Sequence, residues 1–225
     1  MPPPDPRQRA LLRATAFGVG VSLPVVVLAY LVRVEAPGLA RLDDEAIAAL
    51  TSFTRDHPAL FRGLLIWQEL LRPIWVNLAV GVLCLLVWRR RGLGSRALWA
   101  IVTLLAAWAL QVGAKGLVHR ARPEVEDALE HAPGSSFPSG HATNAAAAAL
   151  VTTILLWPLL GTRGKVTVAI AGGTVTLLTA ADRVMLGVHH PSDVVAGILL
   201  GTAMVGASSL GYHGWRTQPR TEEVT

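Results

Sequence analysis

Residues Ala97–Ala114 read ALWAIVTLLAAWALQVGA, eighteen consecutive positions without a charged side chain. A helix of about 20 apolar residues crosses the hydrocarbon core of a bilayer, with a usable range near 17–25. This stretch therefore predicts a transmembrane helix, and the rest of the chain can be compared with it.

Five further uncharged runs occur in the 225-residue chain: Ala14–Val32, Pro73–Trp88, Ala142–Thr162, Val166–Ala181 and Val194–Tyr212. Two of them have only 16 residues and need flanking turns to span. The run from Pro73 can extend back through Leu64–Leu71, and the run from Val166 can extend into Asp182 and Arg183. We therefore predict an all-α polytopic membrane protein. Its six-helix transmembrane domain covers residues 14–212, between tails at 1–13 and 213–225.

The composition supports a lipid-facing exterior. Only 16% of the residues are charged and 52% are hydrophobic, whereas an ordinary soluble domain has roughly 25% charged residues. The net charge is +5, but the basic residues form short clusters between apolar runs. A membrane accounts for such clusters, so we expect no nucleic-acid partner. The single cysteine, Cys84, excludes an intrachain disulfide.

The first run has an alternative interpretation. Arg7, Arg9 and Arg13 precede it, as in a cleaved signal peptide. Its apolar stretch has 19 residues, longer than the roughly 7–15 of a signal peptide. We therefore expect a retained first helix.

The distribution of basic residues predicts the orientation. With the N-terminus inside, segments 1–13, 89–96, 161–165 and 213–225 hold 11 basic and three acidic residues. The opposite segments, 33–57, 119–141 and 182–193, hold six basic and eleven acidic residues. The positive-inside rule then puts both termini in the cytoplasm. The alanine- and arginine-rich composition is typical of a bacterial inner membrane protein.

An acidic cluster in the first outer segment predicts a short surface helix. Asp43-Asp44-Glu45 precedes the sequence Ala46-Ile47-Ala48-Ala49-Leu50. Acidic residues are favourable at the positive end of a helix, so we expect the helix to begin at this cluster.

Three groups of polar residues interrupt the apolar pattern, and all lie at the predicted outer face. They are Lys115 with Arg122-Pro123, the sequence Pro138-Ser139-Gly140-His141, and Arg183 with His189 and Asp193. Taken singly, each has an ordinary structural explanation: a snorkelling lysine, a solvated arginine, a helix cap, or an interfacial or metal-binding histidine.

Taken together, these residues supply what phosphate hydrolysis requires. Lys115, Arg122 and Arg183 give three positive charges to neutralise the transferring phosphoryl group. Ser139 and Gly140 at a helix N-terminus offer backbone N–H groups to an anion.

The two histidines complete the chemistry. His189 and Asp193 are four residues apart, so on one helical turn the carboxylate can hold one imidazole nitrogen protonated. The other nitrogen is then free to attack phosphorus. His141 remains to protonate the leaving oxygen.

The three groups resemble the signatures of the type 2 phosphatidic acid phosphatase superfamily: Lys115-x6-Arg122-Pro123, Pro138-Ser139-Gly140-His141 and Arg183-x5-His189-x3-Asp193. The resemblance implies that His189 is the nucleophile and forms a phosphohistidine, and that His141 is the general acid. The matching lysine, arginines, serine and glycine would bind phosphate, with no metal or other cofactor. Candidate substrates are phosphatidic acid, phosphatidylglycerol phosphate and polyprenyl diphosphates.

One residue departs from the family pattern. Asp182 stands where the superfamily usually has a serine, and its carboxylate can compete with phosphate for Arg183 or Lys115. Vanadium-dependent haloperoxidases share the signatures, but the six apolar runs argue against those typically soluble proteins. A polytopic lipid or anion transporter with a non-catalytic phosphate site is the alternative from another class. The sequence leaves the oligomeric state open.

Overall fold

The computed structural model describes residues 5–124, 130 and 133–216. The tips of both predicted tails, 1–4 and 217–225, lie outside the described residues, as do 125–129 and 131–132. Within the described part, all regular structure is helical, which confirms the all-α prediction. The helices are α1 (Pro6–Arg33), α2 (Pro37–Arg55), α3 (Pro58–Leu70), α4 (Pro73–Arg91), α5 (Gly94–Val118), α6 (Gly140–Leu156), α7 (Thr162–Met185) and α8 (Pro191–Arg216), with a 3-10 turn at Trp157–Leu159.

Six helices in the described ranges are long and apolar enough to cross a membrane: α1, α4, α5, α6 with its 3-10 turn, α7 and α8. This confirms the six-span prediction. Large apolar side chains on these helices, such as Leu98 and Leu105, are 63% and 60% exposed. A surface of this kind is stable only against lipid.

Both 16-residue runs extend into flanking residues, the fifth at the expected end and the second at its opposite end, into Arg89–Arg91. Helix α7 runs through Asp182 and Arg183 to Met185. Helix α4 begins at Pro73, and Leu64–Leu71 belongs instead to α3 and the turn after it. Proline lacks a backbone N–H and is tolerated in the first helical turn, which explains why a new helix starts there. The three arginines of its last turn let α4 span without α3.

The acidic surface helix begins earlier than its sequence predicts. Helix α2 starts at Pro37, and Asp43 lies in its second turn. The expected interaction of the acids with the positive helix end is therefore wrong. Proline at the first helical position favours the earlier start. Asp43 is buried and has a different role, described below.

Helix α6 is the centre of the bundle, packing against α4, α5, α7 and α8. Its inner face is mostly small, with buried residues from Ala142 to Ala148. Small residues let membrane helices approach closely. On α8, Gly197 and Gly201 face the α6 backbone so closely that an added Cβ would lie 2.7 Å from the Ser139 oxygen and 2.6 Å from the Thr143 oxygen. Helix α1 packs along the other side of α8.

The alternation of the spans brings four helix ends together. Helices α5 and α7 end where α6 and α8 begin, and the connection between α7 and α8 is only five residues long. The side chains at these ends form the candidate site.

Candidate active site

A cavity of about 200 Å³ lies between the end of α5, the start of α6 and the connection from α7 to α8. It is lined by five of the predicted site residues, Lys115, Arg122, Gly140, His141 and His189, together with Pro73, Ala107, Trp108, Gln111, Thr143 and Asn144. We call it the site cavity. A larger opening of about 870 Å³ lies between α1, α2 and residues 118–124. It shares Arg122 with the site cavity but contains neither His141 nor His189.

Arg122 is held in place by backbone carbonyls. Its Nη1 donates to the Val188 oxygen at 2.6 Å, and its Nε donates to the Gly134 oxygen at 3.1 Å. The same Nη1 lies 3.4 Å from Nε2 of His189. Arg122 therefore brings a fixed positive charge next to the ring nitrogen that would attack phosphorus. Lys115 is similarly fixed, since its Nζ donates to the Ser135 oxygen.

The other nitrogen of His189 faces Asp193 without a completed hydrogen bond. Nδ1 lies 3.6 Å from Oδ2 of Asp193, which exceeds hydrogen-bond length, and it has no hydrogen-bond partner in the described structure. The expectation that both residues share one helical turn is wrong, because α8 begins only at Pro191. Contacts of this kind are often long before substrate binds.

The environment of His189 keeps its ring neutral. Burial lowers the pKa of His189 from 6.5 to about 4, and the Asp193 carboxylate opposes that shift. Removing a charged imidazole from water is costly, so the neutral form is favoured in a buried position. An unprotonated nitrogen is what nucleophilic attack requires.

Arg183 lies behind the lining of the site cavity and is paired with its own neighbour. Its Nε donates to Oδ2 of Asp182 at 2.8 Å, and its Nη2 donates to the same oxygen. Nη2 also donates to Oε1 of Gln68 on α3. The sequence predicts that Asp182 competes with phosphate for Arg183 or Lys115, and the contact in the structure is with Arg183. The second carboxylate oxygen, Oδ1 of Asp182, is buried without a partner in the described structure.

Ser139 and Gly140 form the start of α6. The Ser139 hydroxyl accepts from the Ala142 amide at 3.4 Å, which is the ordinary geometry of a helix cap. The backbone amide of Ser139 donates to the backbone oxygen of Asp193 at 3.0 Å. Gly140 reaches the site cavity, whereas Ser139 is buried behind it. Their predicted role in phosphate binding stays a prediction.

Sequence reasoning missed a buried ion-pair network behind Asp193. Arg120 donates through Nη1 to Oδ1 of Asp193 and through Nη2 to Oδ2 of Asp43, both at 2.7 Å. Asp43 Oδ1 also accepts from the Ser192 amide at 3.0 Å. Two buried carboxylates thus share one planar guanidinium. The network links α2, through Asp43, to Ser192 and Asp193 at the start of α8, close to His189. No sequence signal pairs Asp43 with residues so distant in the chain.

Two buried amides in the site cavity were also missed. Gln111 lies one turn before Lys115 on α5, and Asn144 lies one turn after His141 on α6. A polar amide inside a membrane helix is itself a signal, since such residues usually line a functional interior. The spacing from Lys115 and His141 would have put both amides on the faces that carry the site.

In the described ranges, no three histidine, cysteine, aspartate or glutamate side chains cluster as a metal-ligand set. The cofactor-free reaction stays a prediction. The arrangement does offer a buried neutral imidazole beside fixed cations, with a second imidazole across the same cavity. Such a site can bind a phosphate ester and transfer its phosphoryl group to the imidazole nitrogen of His189.

Comparisons with known proteins give a matching family model and two enzymes that the chain resembles. A model of the PAP2 superfamily matches residues 96–216. The chain is 39% identical over 90 residues to phosphatidylglycerophosphatase B of Bacillus subtilis, covering 39% of this chain and 43% of that protein. It is 36% identical over 117 residues to decaprenylphosphoryl-5-phosphoribose phosphatase of Mycobacterium tuberculosis, covering 51% of this chain and 59% of that protein. The chain thus spans about half the length of these curated relatives.

A solved structure supports the fold over nearly the whole chain. It is the crystal structure of a transmembrane PAP2 type phosphatidylglycerolphosphate phosphatase from Bacillus subtilis, with a TM-score of 0.80. The match covers 90% of this chain and 98% of that one, at 23% identity. The six-helix arrangement is therefore one already observed in a membrane protein.

Proposed function

This chain belongs to the PAP2 superfamily, and we propose that it is a membrane enzyme that removes phosphate from a lipid phosphate or a lipid diphosphate. The observation that carries the proposal is the convergence of Lys115, Arg122, His141 and His189 on one cavity. The names of the relatives, a phosphatidylglycerophosphatase and a decaprenylphosphoryl-5-phosphoribose phosphatase, support a phosphate-bearing lipid as the substrate.

In the first proposed step, Nε2 of His189 attacks phosphorus while the bond from phosphorus to the leaving oxygen breaks. Lys115, Arg122 and Arg183 offset the charge that spreads over the equatorial oxygens. His141 donates a proton to the leaving oxygen, so that the alcohol departs neutral. The enzyme is left with a phosphohistidine at residue 189.

In the second step, water attacks phosphorus and the bond to Nε2 breaks. His141 has lost its proton and accepts one from the water, which restores both histidines as phosphate leaves. The Asp193 carboxylate, 3.6 Å from Nδ1, stabilises the positive charge that the His189 ring carries while its Nε2 is bonded to phosphorus. Three cationic side chains supply the charge that a divalent metal would otherwise bring.

The proposed enzyme works at the non-cytoplasmic face. The excess of basic residues in segments 1–13, 89–96, 161–165 and 213–225 supports cytoplasmic termini for a single transmembrane domain at 14–212. The membrane itself, in this proposal a bacterial inner membrane, then delivers the lipid substrate laterally.

The proposal is tested by phosphate release from purified protein. The protein in detergent is given phosphatidic acid, phosphatidylglycerol phosphate and a polyprenyl diphosphate, each with and without EDTA. We expect phosphate release from at least one lipid, unchanged by EDTA. A transporter or lipid-binding protein would bind these lipids and release no phosphate. Loss on chelation and recovery with magnesium or zinc would instead defeat the metal-free mechanism.

The two histidines are separable by their roles. His189→Ala is expected to abolish turnover and any trapped phosphoenzyme. His141→Ala is expected to slow phosphoenzyme formation from a lipid alkoxide ester by about 10²–10⁴-fold. It should affect p-nitrophenyl phosphate much less, since that leaving group needs little protonation. Single-turnover measurement is required because His141 also acts in the second step.

The control for these variants is Thr103→Val, which removes a buried hydroxyl from α5 outside the site cavity. It should leave both substrates unaffected. The assignment fails if the phosphoenzyme still forms in His189→Ala but disappears in His141→Ala.

A further inference from the structure

The site cavity extends beyond the residues assigned to phosphate. Its two cationic side chains lie at the outer end: Lys115 is in the last turn of α5, and Arg122 follows that helix. Gln111 lies one helical turn deeper on α5, and Asn144 lies one turn deeper than His141 on α6. The cavity therefore has a phosphate end and a deeper end, with His141 at the transition between them.

The deeper end carries two buried amides, and a nitrogen atom of one of them has no protein partner in the described structure. Gln111 is 6% exposed and Asn144 is 9% exposed. Nδ2 of Asn144 is buried and unpaired in the described structure. The Gln111 amide lies beside Gly140, since a Cβ added to that glycine would lie 3.4 Å from both Nε2 and Oε1 of Gln111. Buried polar groups are normally paired, so the unpaired nitrogen of Asn144, in a cavity that Gln111 also lines, indicates that a ligand completes this end.

The deeper end is unfavourable for binding a second charged phosphate. No lysine or arginine lines it among the described residues, because the two that line the site cavity belong to the phosphate end. Its other lining residues are Ala107 and Trp108, which are apolar, and Thr143, whose hydroxyl already donates to the Ser139 backbone oxygen. A charge in such surroundings is costly unless a counter-ion accompanies it. A neutral hydroxyl or ester carbonyl has no such cost, and an amide N–H can donate to either.

We propose that Gln111 and Asn144 form a subsite for uncharged oxygen atoms of the lipid alcohol that leaves when phosphate is removed. The inference rests on the proposed phosphatase function and narrows its substrate class. The preferred substrate is a phosphomonoester of a neutral lipid alcohol that carries hydroxyl or ester oxygens near the scissile bond. A lipid diphosphate, which presents a charged phosphate at that position, is disfavoured.

The test compares three phosphate donors: phosphatidic acid, farnesyl diphosphate and p-nitrophenyl phosphate. Asn144→Leu and Gln111→Met keep side-chain size but cannot donate a hydrogen bond. Wild type should prefer phosphatidic acid over farnesyl diphosphate. Each variant should lower kcat/KM for phosphatidic acid roughly 3- to 10-fold relative to p-nitrophenyl phosphate, as expected for one neutral hydrogen bond.

Two further variants sharpen the result. Thr103→Val removes a buried hydrogen-bonding side chain from α5 outside the site cavity and should leave the substrate ratio unchanged. Gln111→Lys supplies a cation at the deeper end and should raise kcat/KM for farnesyl diphosphate relative to phosphatidic acid.

Three outcomes would overturn the subsite. They are an equal loss on all three donors in both amide variants, no loss on any donor, and a wild-type preference for farnesyl diphosphate. An equal loss would indicate a purely structural role, and no loss would indicate amides satisfied by water. If wild type releases phosphate from p-nitrophenyl phosphate but from no lipid, the proposed function itself fails, and the subsite fails with it.

Discussion

Among single residues, Asp182 is the departure from the family pattern that directly contacts a proposed phosphate-binding residue, Arg183. Its carboxylate accepts two hydrogen bonds from Arg183, through Nε and Nη2. A phosphate that needs this guanidinium must compete with a permanent neighbour, whereas a serine would leave the guanidinium available. We therefore expect Asp182 to weaken phosphate binding while it holds Arg183 in place.

Asp182→Ser is expected to tighten product inhibition. The inhibition constant for inorganic phosphate should fall roughly tenfold, since a hydrogen bond to a charged group is worth about 1.5–3 kcal/mol. Asp182→Asn is the matched control, because it keeps the size and removes the charge, and it should give an intermediate value. Weaker inhibition in Asp182→Ser would show that the carboxylate helps phosphate binding by positioning Arg183.

The pH dependence of the attack step follows from His189. Burial lowers its pKa from 6.5 to about 4, so the ring stays neutral as the pH falls through 6.5 and becomes protonated only near 4. The rate of phosphoenzyme formation should therefore fall near pH 4, where protonation of His189 removes the nucleophile. The rate is measured with p-nitrophenyl phosphate in His141→Ala, after correction for the substrate's own ionisation. A half-loss close to pH 6.5 would mean that His189 is not shielded from water during attack.

At the scale of elements, the contact between α6 and α8 positions the site. Gly197 and Gly201 are four residues apart and let α8 approach the α6 backbone, a spacing typical of packed membrane helices. At the starts of the two helices, the backbone amide of Ser139 donates to the backbone oxygen of Asp193 at 3.0 Å. The start of each helix is thereby fixed to the other, with His141 and His189 on either side.

Gly201→Ala is expected to separate these helices. The added methyl group would lie 2.6 Å from the Thr143 backbone oxygen, and overpacking of this kind typically costs about 1–3 kcal/mol. We expect a lower unfolding temperature in detergent and a loss of phosphate release of at least about tenfold, since misplacing catalytic groups by 1 Å can cost about 10²-fold.

The matched control is Gly211→Ala on the same helix, where an added Cβ meets nothing within 4 Å. It should leave both the unfolding temperature and the activity close to wild type. Equal effects of the two substitutions would mean that backbone flexibility, and not the α6 contact, is what α8 requires.

At the scale of the whole molecule, the orientation in the membrane decides which lipid pool the site can reach. The site cavity lies at the end of the bundle that carries segments 33–57 and 182–193 and the described residues of 119–141, which are acidic overall. The opposite end carries Arg89, Arg90 and Arg91 in the last turn of α4. The positive-inside rule predicts that the arginine end is cytoplasmic.

Cysteine labelling on intact cells tests this orientation. Cys84 is fully buried and is first replaced by alanine. Glu124→Cys, at an exposed position beside Arg122, should react with a membrane-impermeant thiol reagent. Arg163→Cys, also exposed but on the opposite side, should react only after the cells are opened. The reverse pattern would invert the proposed topology.

The six spans could be counted from the amino-acid sequence alone, which also predicted five of the residues that line the site cavity. A bilayer requires about 20 apolar residues in each helix, and that requirement acts on contiguous residues, so it can be counted directly. The order of the three signatures was likewise readable. The positions of Lys115, His141 and Arg183 at consecutive span ends brought them to one face because successive spans alternate in direction.

The pairing of distant side chains could be read only from the folded molecule. Asp43 and Arg120 are separated by 77 residues, and Gln68 meets Arg183 across 115 residues. The distance of 3.6 Å between His189 and Asp193 depends on α8 beginning at Pro191. The deeper end of the site cavity exists because α5 and α6 pack with Gln111 against Gly140. Such contacts depend on how helices pack against one another, whereas hydropathy reports only on each helix alone.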